Sequence, residues 1–141
     1  MLKRRVVITG MGAVSPYGIG CDIMWEGLIN QKCALSQLSN EQCIPGHEFH
    51  VAGLVPEIPN LKAIPREIRR TMSPMSIFAY MAAREALDEA GFNISALPKT
   101  GVSIGTTMGS GQELKALFDS YIPSGNLDSI RTTAFFKIMS H

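Results

Sequence analysis

The sequence predicts an α/β fold, because short β-branched runs alternate along the chain with helical segments. The first run, residues 5–9, is predicted to form a buried strand that ends at the turn-forming residues 10–12. A second buried strand is predicted over residues 100–105, and it leads into another glycine-rich loop. Between these two runs lies a long helical pattern. A chain of 141 residues, 45% of them hydrophobic, is also long enough to enclose a core.

Both ends of that helix are marked in the sequence. Ser73 offers an N-cap oxygen, and Pro74 suits the first helical position. Residues 75–90 contain no glycine or proline, and Gly91 fits a left-handed C-cap. The first turns are apolar on nearly every side, which predicts a helix buried in a larger body. The last turns are charged and are expected to reach solvent.

The remaining elements are predicted from weaker signals. Asp22 is a plausible N-cap for a helix that runs to about Lys32. Prolines interrupt residues 33–65, where residues 49–55 could hold one short strand. A further helix is predicted over residues 113–121, followed by a turn over residues 123–126.

Charge and composition exclude several classes of function. The net charge of +1 does not suit a basic nucleic-acid-binding protein. The arginines of residues 66–70 are expected to form a solvated face, with a docking patch for an acidic partner as the alternative. No apolar run approaches the roughly 18 residues of a membrane span, so a cytoplasmic protein is expected. The three cysteines form no CxxC pair, which argues against disulfides and zinc knuckles.

Residues 9–15, Thr-Gly-Met-Gly-Ala-Val-Ser, invite comparison with a dinucleotide-binding loop. The third glycine of that fingerprint is replaced by Ser15, and Pro16 follows. No helix opens directly at the turn to receive a pyrophosphate. A strand that leads into a tight turn is therefore favoured. The alternative, a small nucleotide-binding domain, predicts saturable binding of a nicotinamide or adenine nucleotide.

Two further motifs lack the features of a reactive site. Residues 47–50, His-Glu-Phe-His, do not form H-E-x-x-H and supply too few ligands for zinc. The loop at residues 108–111 lacks the lysine of a phosphate-binding loop, and Ser110 lacks the flanking glycine of a nucleophile elbow. A structural turn is favoured over a ligand site there. No metal and no cofactor is expected.

The chain resembles the elongating β-ketoacyl-[acyl carrier protein] synthases in several segments that occur in the expected order and at the expected spacing. The opening motif at residues 9–15 and the helix before Gly91 are two of them, and the loop around Met108 is a third. The matching segments are residues 4–18, 25–28, 82–91, 101–111 and 135–139. The irregular residues 33–65 match poorly, which leaves fatty acid, polyketide and aryl polyene synthesis all open.

The resemblance implies a thiolase-like fold of layered helices and mixed sheet. Residues 1–141 would form an incomplete N-terminal domain of such a synthase, covering a portion of its N-terminal half. The family condenses an acyl thioester with malonyl-acyl carrier protein, with loss of carbon dioxide. The implied partners are acyl carrier protein and a second synthase subunit, in a homodimer or in a heterodimer with a paralogue.

The resemblance also implies where the reactive groups lie. The nucleophilic cysteine and the histidine pair of the family are expected beyond His141, so no catalytic residue is assigned and the 141-residue chain alone is expected to be inactive. Met108 matches a family residue that lines the acyl pocket, with a core contact as the alternative. The rival hypothesis is a non-catalytic protein that docks on a full-length synthase or on a carrier protein.

Overall fold

Helices dominate the computed structural model, which describes residues 5–43, 46–59, 61–93 and 99–139. The helices are α1 (Cys21–Ile29), α2 (Arg66–Arg69), α3 (Pro74–Glu89), α4 (Gly111–Ser124) and α5 (Thr132–Ile138). The strands are β1 (Val14–Ser15), β2 (Gly18–Ile19), β3 (Ser36–Gln37) and β4 (Val51–Ala52). Short 3₁₀ turns occupy Leu61–Ala63 and Leu127–Ser129.

The strands form two separate antiparallel pairs. In the first, β1 and β2 make a hairpin in which Val14 lies opposite Ile19. In the second, β3 pairs with β4, and Ser36 lies opposite Ala52. The predicted short strand within residues 49–55 is thus confirmed as β4. No mixed sheet forms within the described residues, where each sheet has two strands.

The strands predicted at residues 5–9 and 100–105 are not formed. Both segments lack regular secondary structure. Their β-branched side chains are exposed, Val6 by 95% and Val102 by 84%. Strand propensity describes how well a residue fits a pleated, half-buried surface. Among the described residues no neighbouring strand offers these segments that surface.

The caps predicted for α3 are confirmed. The backbone N–H of Ser76 donates to Ser73 Oγ at 3.2 Å, and the Ser73 side chain is fully buried. At the other end Gly91 has a φ of +66°, and the Phe92 N–H donates to the Leu87 carbonyl. The burial predicted for the first turns is not seen, because no residue of α3 is buried in the described part of the chain.

Two other helices depart from their predicted bounds. Helix α1 starts at Cys21 after an N-cap at Gly20, so the expectation that Asp22 caps it is wrong. Helix α4 runs from Gly111 to Ser124, so it begins two residues before and ends three residues after the predicted span. Pro123 is tolerated in the last turn of α4, where its missing N–H removes a single helical hydrogen bond.

The chain divides into two compact units. Unit 1 contains the described residues within 1–59 and 81–96, and unit 2 those within 60–80 and 97–141. Within the described residues, Ile64 in unit 2 is the one buried hydrophobic side chain. The described helices are too short or too polar to cross a membrane.

The accessible surface of the chain, 11778 Å², is large for its length. A folded monomer of this size exposes about 7,100 Å². The excess includes many large apolar side chains, Ile8 and Ile104 among them, which are 82% and 54% exposed. Exposed apolar surface on this scale is typical of faces that other protein surface covers.

Candidate functional site

The glycines of the opening motif bring residues 10–12 against α3 in unit 1. A Cβ atom added to Gly12 would lie 1.8 Å from the Ala82 carbonyl oxygen, and one added to Gly10 would lie 2.0 Å from the Ala86 carbonyl oxygen. Contacts this short are impossible, so both positions require glycine. The glycine motif serves here to pack backbone against a helix, and its bare face is not available to a nucleotide.

Two carboxylates of α3 bind the amides that alternate with those glycines. Glu85 Oε2 accepts a hydrogen bond from the Ala13 N–H at 2.9 Å. Glu89 Oε2 accepts one from the Met11 N–H at 2.5 Å. We call Glu85 and Glu89 the carboxylate pair. Glu85 and Glu89 lie four residues apart, about one helical turn, and each faces one of the two amides.

Glu85 also caps the N-terminus of helix α1. Its second oxygen, Oε1, accepts a hydrogen bond from the Cys21 N–H at 2.7 Å. The N-cap residue of α1, Gly20, has no side chain to satisfy an orphan helical amide. Glu85 therefore supplies the cap from 64 residues further along the chain. A negative charge at a helix N-terminus is also favourable to the helix dipole.

The geometry gives the carboxylate pair a structural role. Both oxygens of Glu85 accept hydrogen bonds from main-chain amides, so its carboxylate is committed to holding the fold. The nearby Cys21 is not an activated nucleophile. Partial burial, together with the carboxylates of Glu85, Glu89 and Asp22, raises the pKa of the Cys21 thiol. A protonated thiol is a poor nucleophile and a poor metal ligand.

The loop that carries Met108 is anchored in unit 2. The Gly109 N–H donates to Thr106 Oγ1 at 3.1 Å, and the Ser110 N–H donates to the Ile138 carbonyl at 3.4 Å. Gly109 has a φ of +68°, and a Cβ there would lie 2.3 Å from the Ile138 oxygen. The Met108 side chain is 69% exposed. A fixed backbone thus presents a flexible thioether at the surface.

An open cleft of about 480 Å³ lies between α4 and α5 in unit 2. Its charged lining carries three cations, Arg70, Arg131 and Lys137, and one anion, Glu113. Lys137 Nζ lies 3.2 Å from Glu113 Oε1, and both side chains remain partly exposed to solvent. Because Lys137 pairs with Glu113, the two arginines give the lining of the cleft a net positive charge, which suits an anionic or acidic ligand.

The histidine motif does not form a metal centre. The rings of His47 and Phe49 stack with their centroids 6.4 Å apart. Across residues 5–43, 46–59, 61–93 and 99–139, no group of three or more potential ligands could hold a metal ion. His50 lies instead beside Cys43. His141 lies outside the described residues.

Sequence reasoning missed both the role of Glu85 and the cleft. The sequence did contain a signal for the role of Glu85. Two glutamates four residues apart on a helix can each accept a hydrogen bond from one of two amides that lie two residues apart in a glycine-containing segment. The charged end of α3 was predicted to reach solvent. Arg84 and Asp88 do so as an exposed pair with an N–O distance of 3.6 Å, but Glu85 is half-buried.

Comparison with known proteins reveals relatives over most of the chain. Residues 3–131 match the family model for the β-ketoacyl synthase N-terminal domain. The chain is 32% identical over 128 residues to 3-oxoacyl-[acyl-carrier-protein] synthase 2 of Coxiella burnetii, covering 89% of this chain and 30% of the relative. It is 36% identical over 107 residues to an oxytetracycline polyketide putative β-ketoacyl synthase 1 of Streptomyces rimosus, covering 75% of this chain and 25% of that protein.

Solved structures give the same result for the fold. The crystal structure of a β-ketoacyl synthase from Burkholderia phymatum superposes with a TM-score of 0.83 at 26% identity, and the match covers 99% of this chain and 35% of the other. The ishigamide ketosynthase/chain length factor superposes with a TM-score of 0.80 at 24% identity, over 97% of this chain and 34% of the other. The chain spans about a third of the length of these proteins.

Proposed function

The chain belongs to the β-ketoacyl synthase family, matching its N-terminal domain, and on that premise we propose that it works as part of a 3-oxoacyl-[acyl carrier protein] synthase. The observation that carries the proposal is the family match over residues 3–131. In this reaction the carbon–carbon bond forms as malonyl-acyl carrier protein loses carbon dioxide. The acyl thioester is the electrophile, and the product is a β-ketoacyl thioester.

We propose that residues 1–141 act as an incomplete domain within a thiolase-like fold of layered helices and mixed sheet. The unpaired β-branched segments around Val6 and Val102 support this, because they have strand-like sequences and highly exposed side chains. The large accessible surface supports it as well. On this proposal the strands form when the remaining sheet is supplied.

The reactive groups proposed for this synthase are a cysteine thiolate and two histidines beyond His141. The cysteine would take the acyl group from its carrier, and the histidines would stabilise the enolate that forms on decarboxylation. Within this chain we propose that Met108 contacts the acyl chain. Its exposed, polarisable side chain on an anchored loop supports that role.

We propose acyl carrier protein as the partner that binds unit 2. Arg66, Arg69 and Arg70 lie on or directly after α2, and Arg70 lines the same cleft as Arg131. Cations from two separate segments thus share one surface. Such a surface attracts an acidic protein through charge complementarity, which acts mainly on the association rate and weakens as salt screens it.

The docking proposal predicts that charge reversal at α2 weakens binding of the carrier protein. Fluorescently labelled malonyl-acyl carrier protein is titrated with the purified chain at low salt, and binding is followed by anisotropy. The triple variant R66E/R69E/R70E should weaken binding at least about tenfold, since like charges now face each other. The variant K115E, which reverses a charge on α4, is the control and should bind normally. Equal affinity of wild type and triple variant would contradict the proposal.

The catalytic proposal predicts no turnover by this chain alone. Purified chain incubated with acyl- and malonyl-acyl carrier protein should yield no β-ketoacyl product, because the nucleophile is expected beyond His141. Detectable product above a protein-free blank would sink that claim. The rival hypothesis, a non-catalytic docking protein, predicts a monodisperse chain, and the large exposed apolar surface counts against it.

A further inference from the structure

A cysteine and a histidine meet in unit 1. Cys43 Sγ lies 3.5 Å from His50 Nδ1. The pairing of β3 with β4 brings the two segments together, and the Leu38 N–H donates to the His50 carbonyl at 2.7 Å. The Cys43 N–H donates to the Ser39 carbonyl at 3.1 Å, which closes the turn that carries the thiol.

The other two cysteines provide internal comparisons. Cys21 is half-buried beside carboxylates that raise the pKa of its thiol. Cys33 is exposed, and among the described residues its thiol makes no hydrogen bond. Cys43 is less exposed than Cys33 but has an imidazole nitrogen within reach. Exposure alone therefore ranks Cys33 as the most reactive thiol, whereas proximity to a base ranks Cys43 first.

We propose that Cys43 is a site of covalent modification by small aliphatic disulfides, with His50 as the base that accepts its proton. The motivating geometry is a nucleophile and a base within contact of each other on an accessible surface. The proposal is independent of the synthase function, because none of the residues assigned to condensation or docking takes part.

The proposed step is thiol–disulfide exchange. The Cys43 S–H bond breaks, and its proton moves to His50 Nδ1. The sulfur attacks one sulfur of the small disulfide, so that a new S–S bond forms and the old one breaks. The released half departs as a thiolate with the electron pair and takes the proton from the imidazolium. Cys43 is oxidised to a mixed disulfide, and the released half is reduced to a thiol.

The test uses oxidised glutathione as the disulfide. The 141-residue chain is incubated with an excess of it, quenched with acid at intervals, digested, and analysed by mass spectrometry for the modified fraction at each cysteine. Cys43 should be modified about tenfold faster than Cys33, an effect below the hundredfold or more that a base in an enzyme site contributes. Cys21 should react most slowly of the three.

Two histidine variants separate the base from the surroundings. His50→Asn should lower the Cys43 rate to about that of Cys33 and leave the Cys33 rate unchanged. His47→Asn is the matched control, since it removes a nearby ring that stacks on Phe49 and should leave the Cys43 rate unchanged. In denaturing urea the rates of Cys43 and Cys33 should converge, because the contact with His50 is lost.

A Cys43 rate no higher than the Cys33 rate in the folded chain would overturn the proposal. So would a His50→Asn chain that retains the full Cys43 rate, or a rate advantage that persists in urea. Because all three thiols are measured in the same molecules, a variant that folds poorly is recognised by faster modification of Cys21. In that case the modification rates of Cys43 and Cys33 are measured over a range of urea concentrations. Their ratio, extrapolated to the folded chain, then decides the question.

Discussion

Glu85 in unit 1 and Glu113 in unit 2 are the same residue type in opposite situations. Glu85 accepts hydrogen bonds from two main-chain amides, those of Ala13 and Cys21. Glu113 meets the Lys137 ammonium at the edge of a cleft. Main-chain amides are fixed by the fold, whereas a lysine side chain can turn to another anion. Whether a carboxylate holds the fold together or can exchange its ligand therefore depends on its partner more than on its own burial.

The largest effect is expected from a substitution that breaks the packing on which the Glu85 contacts depend. Gly12→Ala would place a methyl group 1.8 Å from the Ala82 carbonyl oxygen, so the segment must move off α3. We expect a loss of about 3 kcal/mol or more in the free energy of unfolding, the upper end of overpacking costs. Urea unfolding followed by far-ultraviolet circular dichroism measures it.

Gly105→Ala is the matched control for that substitution. A Cβ at Gly105 meets no atom within 4 Å, and its backbone is not in the left-handed region. Its effect should stay within about 0.5 kcal/mol, as for most surface substitutions. A Gly12→Ala chain as stable as Gly105→Ala would show that the close approach to α3 does not exist in solution.

An intermediate effect tests the two glutamates against each other. Glu85→Gln turns an amide NH₂ toward one of the two main-chain donors and should cost about 1–3 kcal/mol, as expected for a half-buried donor left unsatisfied. Glu113→Gln should cost about 0–1 kcal/mol, the range of exposed ion pairs. Urea unfolding gives both values, and hydrogen exchange at the Cys21 amide should accelerate in the first variant alone. Equal costs and equal exchange would erase the distinction.

The smallest expected effect concerns pH. The pKa of the Cys21 thiol is raised in the folded chain, so its contribution to stability is complete below the unfolded-state pKa of about 8.5 and is lost as pH rises through the folded value. Stability should therefore fall more steeply in wild type than in Cys21→Ser between about pH 8 and 10. Unfolding midpoints measured across that range test this, and superimposable pH curves would refute it.

Local chemistry made some elements predictable. The start and end of α3 follow from Ser73 and Gly91, whose capping contacts lie within a few residues. The cap of α1 was not predictable in this way. Asp22 has the right side chain at nearly the right place, yet the cap comes from Glu85, and no local rule identifies a partner 64 residues away.

The same reasoning explains the strands and the candidate site. Residues 5–9 have strand-forming side chains, but a strand is defined by its neighbours, and the described residues supply none. The family resemblance identified the chain as a synthase segment, which the comparison over residues 3–131 supports. It did not identify the cleft, because Arg70 and Arg131 are brought to one surface by the packing of helices. The role assigned to Met108 stays a prediction.

The Glu85 contact with Cys21 makes the intervening residues a closed loop tied at its neck by hydrogen bonds. The entropy of closing such a loop grows slowly with its length, by about 0.6 kcal/mol for each doubling. Length changes near the exposed Asn40 would thus hardly disturb the neck. Insertions, deletions and substitutions in this loop could thus be tolerated while the contact between α1 and α3 is kept. The loop is therefore a suitable place for related sequences to diverge, and also for the insertion of a tag.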